Sequence, residues 1–151
     1  MCRMAEFVVH DAIVSDLQSS SKEGAIREMV QSLQQAGHFA DAPTDEIVRS
    51  IMRREQLGST GIGRSIAIPH AKHAGVDKLI GTIALSKAGV PFDSIDGQNV
   101  HVLVLLISPQ DRPGDHLRAL ENVVRSMRNE QFVQELRKAQ SREDIWKLLQ
   151  S

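Results

Sequence analysis

The sequence predicts an α/β domain, a small central sheet with helices packed on both of its sides. Three observations support this. Residues 100–108, Val-His-Val-Leu-Val-Leu-Leu-Ile-Ser, form a nearly continuous apolar run, the mark of a strand buried on both faces. Apolar residues recur at helical spacing before and after the strand region, which puts helices on both sides of a sheet in sequence order. Aromatic residues make up 3% of a chain that is 41% apolar, so aliphatic side chains must fill the space between the layers.

The elements follow in order. Residues 12–17 are a short strand candidate. Ser20-Ser-Lys-Glu23 reads as a capping box, S-x-x-E. Ile26, Met29, Val30 and Leu33 then recur at helical spacing, and Gly37 suits the position just past the helix end. Residues 40–43 are a connector. Thr44 or Asp45 can cap a second helix carrying Ile47, Val48, Ile51 and Met52, which ends near Leu57-Gly58 with Arg53 and Arg54 in its last turn. Strands are expected at residues 65–68, 79–86 and 100–108, with Asp96-Gly97 marking a turn between the latter two. Beyond Pro109 and Pro113 a helix begins near His116 and carries Leu117, Leu120, Val123, Val124 and Met127. Phe132, Val133 and Leu136 indicate a short helix, and residues 141–144 cap a last one with Ile145, Trp146, Leu148 and Leu149. No repeat, low-complexity tract or linker interrupts the 151 residues, so residues 1–151 form a single domain.

Composition excludes several function classes. Eighteen basic residues stand against 19 acidic ones, which lacks the strong basic excess of a nucleic-acid footprint. Cys2 is the only cysteine, so no intrachain disulfide forms and a reducing cytoplasm is expected. The N-terminus has no apolar signal core. The longest apolar run, residues 102–107, is far below the ~20 residues of a membrane span, so no membrane insertion is expected.

Chemistry concentrates around Ile66-Ala67-Ile68-Pro69-His70. Proline cannot donate to a sheet ladder and fixes its own φ, so the run reads as a strand that ends at Pro69. His70 then sits on a stiff backbone at a sheet rim, with a side chain able to act as a neutral nucleophile near pH 7. His116 follows a loop hung from the end of the buried strand, in the first turn of a helix, where anions are favoured. Ligands in open α/β sheets gather beyond strand ends, so His70 and His116 share one rim in this reading. Arg53 and Arg54 each offer a planar fork for phosphate, and the residues alone do not choose between them. His10 and His38 read as exposed, His101 as structural, and His73 as a surface residue. The two-residue gap in His70-Ala-Lys-His73 is weak as a metal motif, and no metal is expected.

Residues 58–65, Gly-Ser-Thr-Gly-Ile-Gly-Arg-Ser, nearly match a P-loop. Arg64 replaces the lysine, and the order is helix then strand where a P-loop needs strand then helix. An NTPase is therefore set aside. The segment is either a tight turn or a loop wall in which Ser59, Thr60 and Gly61 offer donors to a phosphoryl oxygen.

Residues 55–71, from Glu55 through Leu57-Gly58 to Ile66-Ala67-Ile68-Pro69-His70-Ala71, resemble the signature of type-2 enzyme IIA domains of the bacterial phosphoenolpyruvate-dependent phosphotransferase system. That class includes fructose, mannitol and nitrogen-regulatory enzymes IIA. Further similarity lies in Ser21-Lys22-Glu23, Gly89-Val-Pro-Phe92, Ser108-Pro109 and Asp115-His116-Leu117. Many relatives carry glycine where Ala71 stands. The resemblance implies a mixed sheet sandwiched between helices. It implies His70 as the phosphorylated histidine, with His116 and Arg54 stabilising the phosphoryl group, and no cofactor.

The implied partners are an HPr-type carrier upstream and an enzyme IIB or a regulatory target downstream, with the oligomeric state open. The chain shows no IIB, IIC or HPr-like segment, which favours a nitrogen-regulatory phosphocarrier. A fructose- or mannitol-type transport enzyme IIA is the alternative. A non-catalytic interaction domain that kept the fold is a third reading, against which the intact Arg54, His70 and His116 set argues.

Overall fold

A computed structural model describes residues 4–39 and 42–150. Cys2 and part of the predicted connector, Ala40 and Asp41, lie outside the described residues. The helices are α1 (Met4–Phe7), α2 (Lys22–Gln35), α3 (Thr44–Gln56), α4 (Pro113–Met127), α5 (Glu130–Lys138) and α6 (Arg142–Gln150). The strands are β1 (Gly61–Gly63), β2 (Ile66–Ala67), β3 (His70–Lys72), β4 (Ile80–Val90) and β5 (Val100–Ser108). Among the described residues, no helix is long and apolar enough to cross a membrane.

β5 is the centre of a mixed sheet. β4 runs antiparallel along one edge, pairing Ile83 with Val104. β2 and β3 run parallel along the other edge, and β1 adds antiparallel to β2. β2 and β3 are one strand interrupted. Ala67 faces Leu103 and His70 faces Leu106 in unbroken register. The break falls at Pro69, which has no N–H to give, although its carbonyl still accepts from Leu106 N–H at 3.0 Å.

Alternation along β5 explains why residues 102–107 are all apolar. Leu103, Leu105 and Ile107 face a core built with α2 and α3, including Ile26, Met29, Leu33, Ile47 and Ile51. Val102, Val104 and Leu106 face a second core with Ala119, Val123, Met127, Leu136 and Ile145 from α4 to α6. Successive side chains point to opposite faces, so a central strand covered on both sides keeps polar residues to its ends, here His101 and Ser108. The result is a mixed sheet between two helical layers.

Four details differ from the sequence expectations. Residues 12–17 do not form a strand. A short 3₁₀ turn, His10–Ala12, runs into the start of the segment, which meets β4 at one isolated bridge, Val14 with Ala84, and through the Leu17 N–H bond to the Leu85 carbonyl. The cap of α2 is Ser21, which accepts from Gly24 N–H at 3.1 Å, rather than Ser20. α3 has Pro43 at its cap and no side-chain cap at all, because the Thr44 hydroxyl bonds Gln34 instead. Finally, the strand does not end at Pro69. It resumes at His70, since pairing to β5 tolerates a missing donor at one position.

Candidate functional site

The fold brings His70, His73 and His116 together with several charged side chains around an open cleft of about 640 Å³. One wall is α3, where Glu46, Ser50, Arg53 and Arg54 recur at helical spacing and so share a face. The other wall comes from β3 and its continuation, with His70, Lys72 and His73, and from the start of α4, with Gln110, His116 and Leu120. Strand alternation sends Ala71 into the core and leaves His70 and Lys72 on the opposite face.

His70 is half-buried, and its Nδ1 lies 2.8 Å from the Ile68 carbonyl oxygen. A carbonyl can only accept, so Nδ1 carries the proton and Nε2 keeps its lone pair. Burial lowers the His70 pKa, and the Arg54 charge lowers it further, while the Ile68 carbonyl and Glu55 pull it back up. The net direction is down, which keeps the ring neutral at pH 7.

His116 is 7% exposed. Its ring centroid is 5.4 Å from that of His70, at a tilt of 52°. Its Nδ1 is hydrogen-bonded to the Ser108 hydroxyl at the end of β5. Burial, then the neighbouring His70 and Lys72, lower its pKa to about 4. Arg54 donates through Nη1 to the Gly58 carbonyl at 3.0 Å, which anchors one edge of the guanidinium. Arg53 lines the same cleft. Thus His70, His116 and both arginines share one site.

Ser59, Thr60 and Gly61 do not. The Ser59 hydroxyl donates to the Phe92 carbonyl and accepts from Gly61 N–H. Thr60 gives its N–H at 3.2 Å and its hydroxyl to the Glu55 carboxylate. These donors are consumed within the fold, and none of the three lines the cleft. Glu55, 6% exposed, is the hub of this arrangement, since Lys22 Nζ also reaches it at 3.0 Å. The glycine-rich segment is therefore a hydrogen-bonded turn.

His73 also departs from expectation. It is buried, not on the surface. Its Nε2–H donates to Glu46 Oε1 at 3.2 Å, and its Nδ1 accepts from Gly75 N–H at 2.9 Å. This ties β3 to α3 across the cleft and leaves neither ring nitrogen free for a metal. Among the described residues, no group of three or more His, Cys, Asp or Glu side chains forms a metal-ligand set. The sequence reading placed Glu55 and Ser108 within the family resemblance but gave neither them nor Lys72 a role in the site. Ser108 closes an apolar run and Glu55 sits in a charged helix end, so the hydrogen bonds each makes show only once the chain is folded.

The geometry and the chain's similarities agree. Residues 6–151 match the family described as phosphoenolpyruvate-dependent sugar phosphotransferase system, EIIA 2, and the chain belongs to that family. A nitrogen regulatory protein from Bradyrhizobium diazoefficiens is 30% identical over 146 residues, covering 97% of this chain and 94% of the relative. The fructose-specific EIIABC component of Bacillus subtilis is 34% identical over 143 residues, covering 95% of this chain but 22% of that protein. Among solved structures, the nitrogen regulatory protein IIA-Ntr from Neisseria meningitidis superposes with a TM-score of 0.87 at 28% identity, covering 97% of this chain and 98% of that one. The Escherichia coli enzyme IIA for mannitol, solved in complex with phosphorylated enzyme IIB, shares the fold with a TM-score of 0.76 at 21% identity, over 93% of this chain and 94% of that one.

Proposed function

We propose that the protein is a phosphocarrier, in which His70 accepts a phosphoryl group on Nε2 from an HPr-type protein. It then passes the group on or displays it as a regulatory signal. The observation that carries this reading is the Nδ1–H bond from His70 to the Ile68 carbonyl. That bond fixes the tautomer and leaves Nε2 as the nucleophile, beside a buried neutral histidine and an arginine.

The step is an exchange between two imidazoles. Nε2 attacks the phosphorus of the carrier's phosphohistidine. An N–P bond forms at His70 while the carrier's N–P bond breaks, and the bonding pair leaves with the carrier's imidazole. The His70 ring gains positive character as it bonds phosphorus, and the Ile68 carbonyl offsets it through the Nδ1–H. Arg54 and His116 face the phosphoryl oxygens. With Ser108 donating its hydroxyl proton to Nδ1 of His116, Nε2 of that ring carries a proton to donate. Fixed donors of this kind stabilise the charge spread over the transferring group. Donor and acceptor are both histidines, so the exchange is close to balanced and the site positions more than it drives. An open cleft admits the face of another protein, which a buried pocket excludes.

The nitrogen-regulatory type is favoured because similarity to those proteins extends over nearly the full length of both chains. The second reading is a transport enzyme IIA that donates to an enzyme IIB, supported by the identity to the fructose component. Either role belongs in the cytoplasm, where the phosphotransfer carriers reside.

The test is incubation with labelled phosphoenolpyruvate, enzyme I and a panel of HPr-type carriers. An acid-labile, base-stable label is expected on the wild type and none on His70→Gln. Folded wild-type protein that takes no label from any carrier overturns the proposal. Onward transfer to a fructose- or mannitol-type enzyme IIB would decide for the transport reading.

A further inference from the structure

We infer that the end of the sheet remote from His70 holds a second anion site, which takes a small phosphate monoester between Arg137, Lys87 and His101. This inference does not rest on the phosphocarrier reading. The site is a cleft of about 260 Å³ lined by Ser15, Ser86, Lys87, His101 and Arg137, with Gln140 at its rim. His101 lies five residues along β5 from Leu106, the partner of His70, so the two sites are roughly 17 Å apart at strand spacing.

Three backbone features meet at His101. The N–H groups of His101 and Val102 both bond the Ser65 carbonyl, at 2.8 and 3.0 Å. Two residues opposite one is a β-bulge, a device that re-aims a side chain. That carbonyl belongs to the two-residue turn of the β1–β2 hairpin, where Arg64 and Ser65 have φ of 56° and 67°, the left-handed pair such a turn takes. Gly89, with φ of 87°, faces the ring, and a Cβ there would lie 3.0 Å from His101 Nε2. The Ser65 carbonyl and the bare Cα of Gly89 thus border this imidazole.

The ring is only partly buried: Nδ1 is shielded inside the wall, and the rest of the imidazole lines the cleft. Burial and then the Arg137 charge lower the pKa of this ring, while the Asn99 carbonyl opposes them. Among the described residues no carboxylate pairs with Lys87 or Arg137. A helix end explains Arg137 by itself, because cations suit the last turn of α5. It does not explain an imidazole seated by a bulge next to it.

The donor set specifies the ligand. An arginine fork, an ammonium, the hydroxyls of Ser15 and Ser86 and an imidazole surround the cleft from different elements. The Ser86 oxygen already accepts from Gly89 N–H, so its proton is left to donate. A planar carboxylate uses two oxygens, whereas a phosphate monoester offers three and a second negative charge, which matches donors spread over several directions. The volume suits a phosphate with a small organic body rather than a larger cofactor.

The test is an NMR titration of the uniformly labelled protein with glucose 6-phosphate, following His101 Cε1 and the Gly89 amide. Glucose, malate and inorganic phosphate at constant ionic strength are the controls. Saturable shifts are expected with the ester, unchanged in His70→Gln and weakened at least tenfold when Lys87→Ala and Arg137→Ala are combined. Both replaced side chains are exposed, and the amide spectrum of the double variant reports its fold. Absent or unsaturable shifts, equal affinity for malate, or indifference to the double variant overturns the site. Inorganic phosphate binding as tightly as the ester overturns the monoester assignment.

Discussion

Replacing His116 with glutamine should change how stability depends on pH, by an amount the structure sets. The His116 pKa is about 4 in the folded protein against an ordinary 6.5. The folded state therefore binds fewer protons than the unfolded state between these values, and stability falls as pH falls through that window. Linkage gives a loss from this residue of about 2 kcal/mol by pH 5 and about 3 kcal/mol by pH 4. Above pH 7 the contribution is fully present. Glutamine removes the titrating group while keeping a polar side chain near Ser108. Urea unfolding followed by circular dichroism at pH 7, 5 and 4 measures the difference. Other titrating groups are common to both proteins and largely cancel. Wild type should lose about 3 kcal/mol more than His116→Gln between pH 7 and 4. Parallel pH dependence in the two proteins would show that His116 is not held neutral by burial beside His70 and Lys72.

Other outcomes follow from the same geometry. Arg54→Ala should slow labelling of His70 roughly a hundredfold, the scale for one preorganised donor to a charged transition state, and Arg54→Lys should recover part of it by restoring charge without the fork. Quench-flow labelling with a saturating carrier reads both, and an unchanged rate for Arg54→Ala would remove that residue from the site. Ser108→Ala frees the His116 ring and should cost about tenfold in transfer rate, the equivalent of one hydrogen bond of about 1.4 kcal/mol, with the urea midpoint at pH 7 showing that the fold holds. Thr60→Val keeps the shape but strips a donor from buried Glu55, and should destabilise by about 1–3 kcal/mol in urea. Transfer after folding should stay near wild type, because Thr60 lies outside the cleft.

Much of the fold was legible in the chain. The aliphatic run of β5, the apolar periodicity of α2 to α6 and the turn at Asp96-Gly97 are local patterns, and local patterns survive in a linear string. Shorter pieces were less legible. β2 falls within the strand expected at residues 65–68, but β1 and β3 are three residues each, too brief for any period to show, and they exist because β2 and β5 offer partners. The segment at residues 12–17 has strand-like composition, but a 3₁₀ turn at its start and a single bridge take the place of a ladder. His73 looked like a surface histidine because its neighbours are polar, and only the approach of α3 buries it against Glu46.

The sequence by itself determined the aliphatic two-faced sheet, the helices around it and the pairing of His70 with His116 near one end of the sheet. It also carried the family signature, because those residues are contiguous. Only the tertiary structure decided what each donor and proton does. It turned the glycine-rich segment inward onto Glu55 and Phe92, resumed the strand beyond Pro69, and set Nδ1 of His70 on the Ile68 carbonyl. It also lowered the His116 pKa by burying the ring between Ser108 and His70. Such outcomes depend on distances between segments remote in the chain, and a hydrogen bond or a desolvated charge is defined by distance, not by order along a sequence.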